Sequence, residues 1–79
     1  MKLTVYGKPQ CTYCDKAKAL LNSKGIEYTY IDLMEDAEAL TFIKATGAKS
    51  VPQVYNGRVL VGGFEDLSNW LAEVLYHEG

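Results

Sequence analysis

Both cysteines of this 79-residue chain fall in one tetrapeptide, Cys11-Thr12-Tyr13-Cys14, at a point where the side-chain pattern changes. Ahead of it, Leu3-Thr4-Val5-Tyr6 is short, β-branched and aromatic, as a strand is. Gly7-Lys8-Pro9 then punctuates, and from about Thr12 an Ala/Lys/Leu-rich stretch follows a helical pattern. A dithiol at a strand-to-helix seam constrains the fold strongly, because the helix must begin at the pair. Two cysteines three apart in a first helical turn are within disulfide reach. The first lies near the amides left unpaired at the helix start. Those amides and the positive helix end favour thiolate at Cys11. Cys14 shares a helix face with Ala17 and Leu21, so it is expected to be the more buried of the two.

Other uses of a C-x-x-C pair fit less well. A zinc site needs more ligands than one chain offers here, since there is no second pair and the single histidine, His77, is remote. A structural disulfide across so few residues would restrict the unfolded chain little. Redox chemistry is the expectation. The net charge of -2 gives no support to nucleic-acid binding, which usually shows a basic patch. No apolar run approaches the roughly 20 residues that cross a bilayer. Met1–Gly7 is too short an apolar segment for a secretory signal, so a reducing compartment, the cytoplasm, is expected. The length suits one domain, residues 1–79, of modest stability.

Along the chain, Lys2–Tyr6 reads as a first strand covered on both faces. Thr12–Lys24 reads as a helix with Tyr13, Ala17, Leu20 and Leu21 turned inward, ended by Gly25. Ile26–Leu33 alternates as a second strand, which a crossover helix makes parallel to the first. Asp36 is the expected N-cap of a helix through Thr46, with Ala39, Leu40, Phe42 and Ile43 inward and Gly47 after it. Val54-Tyr55 and Arg58–Val61 flank Asn56-Gly57, a hairpin signal. A last helix is expected over Phe64–Tyr76, burying Leu67, Trp70, Leu71, Val74 and Leu75.

With these elements in place the chain resembles a glutaredoxin along essentially its whole length. Three pieces in matching order carry the resemblance. They are Lys8 with Cys11-Thr12-Tyr13-Cys14, then Ser50-Val51-Pro52, similar to the family's Thr-Val-Pro, then Gly62-Gly63-Phe64-Glu65-Asp66, similar to its Gly-Gly-x-x-Asp. The resemblance implies an α/β, thioredoxin-like fold, β-α-β-α-β-β-α, with a four-stranded mixed sheet flanked by helices. It implies a cis peptide before Pro52, facing the dithiol, with the backbone of Val51 open to strand-like pairing with a substrate. It implies that Gly62 and Gly63 let backbone approach glutathione, whose γ-glutamyl carboxylate meets the last helix's first turn, beside Glu65. Asp66 would take the α-amine, Lys8 the glycine carboxylate, and Tyr13 would wall the site.

Two departures from the family pattern stand out. Thr12 replaces the proline usual after the first cysteine, placing a hydroxyl near the sulfur and relaxing the helix start. Ala39 stands where the family often has a polar glutathione contact, so weaker glutathione binding is expected.

The resemblance therefore implies a glutathione-dependent disulfide oxidoreductase acting in cell redox homeostasis. Cys11 attacks a disulfide or glutathionylated cysteine, and Cys14 resolves the mixed disulfide on protein substrates. Glutathione is a co-substrate, with no tightly bound cofactor and no metal. Its partners are disulfide-containing proteins, with ribonucleotide reductase suggested by the family, and no nucleic acid or membrane. A monomer suffices. Two alternatives stay open. One is a small redoxin reduced by thioredoxin reductase. The other is a dimer that holds an iron–sulfur cluster through Cys11, since related glutaredoxins with a small polar residue at the Thr12 position do so.

Overall fold

The computed structural model describes residues 1–78. The elements follow the expected order: β1 (Leu3–Gly7), α1 (Thr12–Ser23), β2 (Tyr28–Asp32), α2 (Ala37–Ala45), β3 (Gln53–Asn56), β4 (Val59–Gly62) and α3 (Phe64–Glu78). They build one four-stranded mixed sheet in the order β2-β1-β3-β4. β2 runs parallel to β1, with Leu3 opposite Tyr28 and Gly7 opposite Asp32. β3 is antiparallel to β1, and β4 to β3. The last residues of β1, β2 and β4 and the first of β3 therefore meet at one end of the sheet.

Alternation along β1 sends its side chains to opposite faces. Leu3 and Val5 pack with Ala17 and Leu21 of α1, Val54 of β3, and Leu67 and Leu71 of α3. On the other face Tyr6 joins Leu33, Ala39, Ile43 and Tyr55 under α2. Helices α1 and α3 thus cover one side and α2 the other. Leu21, Leu67 and Leu71 are essentially buried, each contributing about 1.5–3 kcal/mol relative to exposure. Phe42 is 44% exposed, yet its ring still meets Tyr6 and Tyr55, at centroid distances of 5.8 and 5.5 Å. Tyr13, expected on the inward face of α1, is instead 56% exposed. It lies in the first turn of α1, with its ring against that of Phe64. Among the described residues no helix is long and apolar enough to cross a membrane.

Element ends show where local bonds outweigh strand propensity. After α1, Lys24 caps and Gly25 takes φ 67°. The Gly25 amide donates to Asn22 O at 3.1 Å and the Ile26 amide to Leu21 O at 3.0 Å, a Schellman arrangement. Ile26 is thereby tied to the helix end, and β2 starts at Tyr28 rather than Ile26. Asp36 caps α2 as expected, its carboxylate accepting the Ala39 amide at 3.0 Å. In the hairpin, Asn56 pairs with Val59, so the loop is Gly57-Arg58, one residue later than the Asn56-Gly57 pattern suggests. The cause is β1. Asn56 Oδ1 accepts the Lys2 amide at 3.0 Å, and the Gly57 amide donates to Lys2 O at 2.8 Å, holding Asn56 in the ladder. Gly57 has φ 61°, as the first position of a II′ connection requires. The register then shifts between Val54 and Tyr55, leaving Val61 as an extra residue in β4 and bringing Gly62 opposite Val54.

Candidate active site

Cys11 is the N-cap of α1, in extended conformation at φ -118° and ψ 106°, and its sulfur accepts the Cys14 amide at 3.1 Å. A sulfur here occupies the place that Ser, Thr or Asp oxygens usually take. As a thiolate it would receive a charge-assisted hydrogen bond together with the field of the helix start. Cys11 and Cys14 are joined as a disulfide, their Cα atoms 5.2 Å apart. Cys14 has no exposure, whereas Cys11 is half-buried, which is the division expected from the helix face. The approach to Cys11 is held by Pro9, with its fixed φ, and by Gln10 at φ 56°, an uncommon conformation outside glycine.

Gly7, at the end of β1, leaves the space beneath the pair. A Cβ there would lie 2.9 Å from Tyr30 Cζ and 3.0 Å from Cys14 Sγ, too close for either. Glycine is needed at this position for close approach, not for its backbone angle.

The Cys11 sulfur lies 3.8 Å from the carbonyl oxygen of Val51, and the Val51–Pro52 peptide is cis. Among the described residues the Val51 amide has no hydrogen-bond partner. Val51 and Pro52 line a cavity of about 270 Å³ with Tyr13, Ser50, Gly63, Phe64, Glu65 and Asp66. The Tyr13 and Phe64 rings face each other at 6.0 Å, and the Lys16 ammonium stands 5.0 Å from the Tyr13 ring centroid. Asp66 folds back so that Oδ2 accepts the Gly63 amide at 3.2 Å, the reach of an acidic N3 residue to its N-cap.

Gly62 is buried at φ 127°, and any Cβ on it would run into the Asp66 side chain, with Asp66 Cβ and Cγ only 2.7 Å away. Its glycine identity therefore serves the helix start. A Cβ on Gly63 would meet only Pro52 O at 3.7 Å, so that position is open. Lys8 lies across the Ser50-Val51 ridge, in a second cavity of about 210 Å³ with Lys44, Lys49 and an apolar floor that includes Leu33, Leu40 and Ile43. Thr12, the first residue of α1, is exposed and lines neither cavity.

Of the residues singled out in the sequence, Tyr13, Val51, Pro52, Gly63, Glu65 and Asp66 thus share one cavity, which Val51 connects to Cys11. Ser50, Phe64, Lys44 and Lys49 were not singled out as site residues. Ser50 and Phe64 lie inside the matched tripeptide and pentapeptide, and Lys49 is next to Ser50, so proximity in sequence was their available signal. Lys44 comes from the last turn of α2, where only the folded chain brings it to Lys8.

Residues 3–61 match the family model described as Glutaredoxin. The chain is 41% identical over 70 residues to glutaredoxin 1 of Rickettsia prowazekii, covering 85% of this chain and 74% of that protein. It is 37% identical over 70 residues to hybrid peroxiredoxin hyPrx5 of Haemophilus influenzae, covering 89% of this chain but only 29% of that protein's length. The solution structure of a glutaredoxin from Brucella melitensis superposes with a TM-score of 0.73 at 36% identity, covering 92% of this chain and 80% of that one. A buckwheat glutaredoxin–glutathione complex superposes with a TM-score of 0.75 at 27% identity, over 90% and 68% of the two chains.

Proposed function

The chain belongs to the glutaredoxin family, a thiol–disulfide oxidoreductase of thioredoxin-like fold, and from that premise we propose that its reductant and co-substrate is glutathione. The observation that carries the proposal is the single cavity bounded by Val51, Gly63 and Asp66, whose Val51 carbonyl oxygen lies 3.8 Å from the Cys11 sulfur. Its chemistry complements a small peptide with carboxylates and one amine. The first amides of α3 have no intrahelical acceptors and suit the γ-glutamyl carboxylate. Asp66 supplies the only carboxylate for the amine besides Glu65 in the same wall. The unpaired Val51 amide and its carbonyl offer strand-like pairing to the cysteinyl unit. Lys8 and Lys49, beyond the ridge, suit the glycine carboxylate. The buckwheat relative is itself a glutathione complex, which supports the assignment.

In this scheme the Cys11 thiolate attacks a disulfide sulfur, forms a mixed disulfide and expels a thiolate. With a protein substrate, Cys14 attacks Cys11, releases the reduced protein and leaves the Cys11–Cys14 bond. Glutathione thiolate then opens that bond, and a second glutathione completes the cycle as glutathione disulfide. We take the substrates to be disulfide-containing or glutathionylated proteins of the cytoplasm, ribonucleotide reductase among them, and the working form to be a monomeric single domain. The test is a coupled assay on a mixed disulfide, supplying electrons through glutathione and glutathione reductase or through thioredoxin reductase. Turnover with the first and little with the second is expected. The reverse result, or a brown cluster-bearing dimer without turnover on anaerobic purification, overturns the proposal.

A further inference from the structure

Cys14 has no solvent exposure, yet its sulfur must carry negative charge twice in a dithiol cycle. It leaves as a thiolate when the internal disulfide opens, and it attacks as a thiolate when it resolves a mixed disulfide. A buried thiolate without a donor is disfavoured by desolvation. Two carboxylates add to that cost, since Asp15 follows Cys14 in α1 and Asp32 ends β2 beside Gly7, with the Lys18 ammonium paired to Asp15 as the offsetting charge.

One hydroxyl is placed to help. Gly7 ends β1, and the nearest atoms that a Cβ on it would strike are Tyr30 Oη, Tyr30 Cζ and Cys14 Sγ. The phenol end and the buried sulfur thus share one side-chain-sized gap. Among the described residues the Tyr30 hydroxyl has no hydrogen-bond partner of its own. Its ring is fixed from above by the Lys18 ammonium, 4.1 Å from the centroid, and Lys18 in turn lies 3.7 Å from the Asp15 carboxylate.

We propose that the Tyr30 hydroxyl is the hydrogen-bond donor that receives the Cys14 sulfur when the Cys11–Cys14 bond opens and steadies it as a thiolate before it attacks. On reduction, an incoming thiolate bonds to Cys11 Sγ, the Cys11–Cys14 bond breaks, and the electron pair goes to Cys14. Tyr30 shares its proton without giving it up. On resolution, the Cys14 sulfur displaces the substrate sulfur from Cys11, and the proton of its thiol ends on the departing substrate thiolate. Tyr30 stays protonated through the cycle, because burial, then Asp32, Asp15 and Tyr28, hold its phenol above the usual value. Asp15 and Lys18 from α1, and Asp32 and Tyr28 from β2, are the titratable groups around it. This role rests on the dithiol part of the proposed mechanism and not on glutathione as the reductant.

A purely packing role would let phenylalanine serve equally, so Tyr30→Phe is the test. In the Cys11→Ser protein, where Cys14 is the single thiol, thiolate absorbance is followed against pH with and without Tyr30→Phe. The Cys14 midpoint is expected to rise by about one to two pH units, the span of a hydrogen bond to a charged group. In the dithiol enzyme, turnover on a protein disulfide should fall at least about tenfold relative to turnover on a small glutathione mixed disulfide. Superimposable Cys14 titrations overturn the proposal, as does an equal fall in both activities. Should Tyr30→Phe fold poorly, ring-labelled tyrosine NMR on the unaltered protein gives the answer. The Tyr30 Cζ resonance must move when the disulfide is reduced, and a stationary resonance overturns the proposal. None of these titrations contains glutathione, so their failure is distinct from failure of the glutathione assignment.

Discussion

Replacing Asp66 by asparagine and by alanine separates two jobs that one carboxylate holds here. Oδ2 closes the first turn of α3 on the Gly63 amide at 3.2 Å, while the other oxygen has no protein partner among the described residues, and Asp66 lines the cavity with Glu65. Asparagine keeps an acceptor for Gly63 and removes the charge. Alanine removes both. Loss of charge at a helix start costs about 0.3–1 kcal/mol in each variant. Loss of the Gly63 bond adds about 0.5–1.5 kcal/mol in alanine alone. At roughly 4–8 °C per kcal/mol for a domain of this size, Asp66→Ala should melt several degrees below Asp66→Asn.

Glutathione should respond differently. A hydrogen bond to a charged group contributes about 1.5–3 kcal/mol when sheltered, and an exposed ion pair about 0–1. Asp66 is exposed and half engaged with Gly63, which places the loss near 1–2 kcal/mol, a factor of about 5–30 in the glutathione KM. Both variants should lose it alike. The assays are thermal unfolding by circular dichroism and steady-state turnover coupled to glutathione reductase. An unchanged KM in Asp66→Asn, with a raised KM only in the less stable Asp66→Ala, would refute the amine contact and leave Asp66 as a helix-start residue.

Three further outcomes are expected. Cys11→Ser abolishes turnover on every substrate, while Cys14→Ser keeps activity on small glutathione mixed disulfides and loses most activity on protein disulfides; alkylation against pH should show Cys11 titrating below the ~8.5 of a free thiol. Gly7→Ala forces a methyl against Tyr30 and Cys14 and should lower stability by about 1–3 kcal/mol, read from the urea midpoint. The raised Tyr30 phenol value means that the folded chain favours the neutral phenol. That contribution is intact below pH ~10 and is lost as pH rises through the folded value, so the fall in urea midpoint from about pH 9 to about pH 11 should be smaller in Tyr30→Phe.

The dithiol, the order of the elements and their inward faces were legible because each rests on local pattern: apolar spacing in α1 and α3, Asp36 before α2, glycine after α1 and α2. Errors came where a distant segment decided. Asn56-Gly57 reads as a hairpin loop on its own, and only the Lys2 backbone draws Asn56 into the ladder. Ile26 alternates properly for a strand, yet its amide belongs to the end of α1. Tyr13 has the spacing of a core residue but stands exposed in the first turn of α1, where it meets Phe64 and lines the cavity. Within the site, the matched motifs pointed to Val51, Gly63 and Asp66 but could not show that Asp66 also bonds the Gly63 amide, or that Gly62 is needed for that contact. The closeness of Tyr30 and Cys14 to the gap at Gly7 had no local signal at all. It depends on the parallel register that sets β2 beside β1 and on a missing side chain at Gly7.

Cys11 is both the sulfur that reacts and the group that closes the first turn of α1. A thiolate accepts the Cys14 amide as an anion, whereas a disulfide sulfur accepts it only weakly. Oxidised and reduced, folded and unfolded forms make a four-cornered thermodynamic cycle, and its free energies must sum to zero. Whatever the helix start gains on reduction therefore counts both as extra resistance of the reduced chain to unfolding and as extra ease of accepting electrons. A substitution at Pro9 or Gln10 that slackens the start of α1 touches no substrate, yet it alters the electron affinity of the pair. In this chain, selection for a well-made helix and selection for a set oxidising power act on the same few residues.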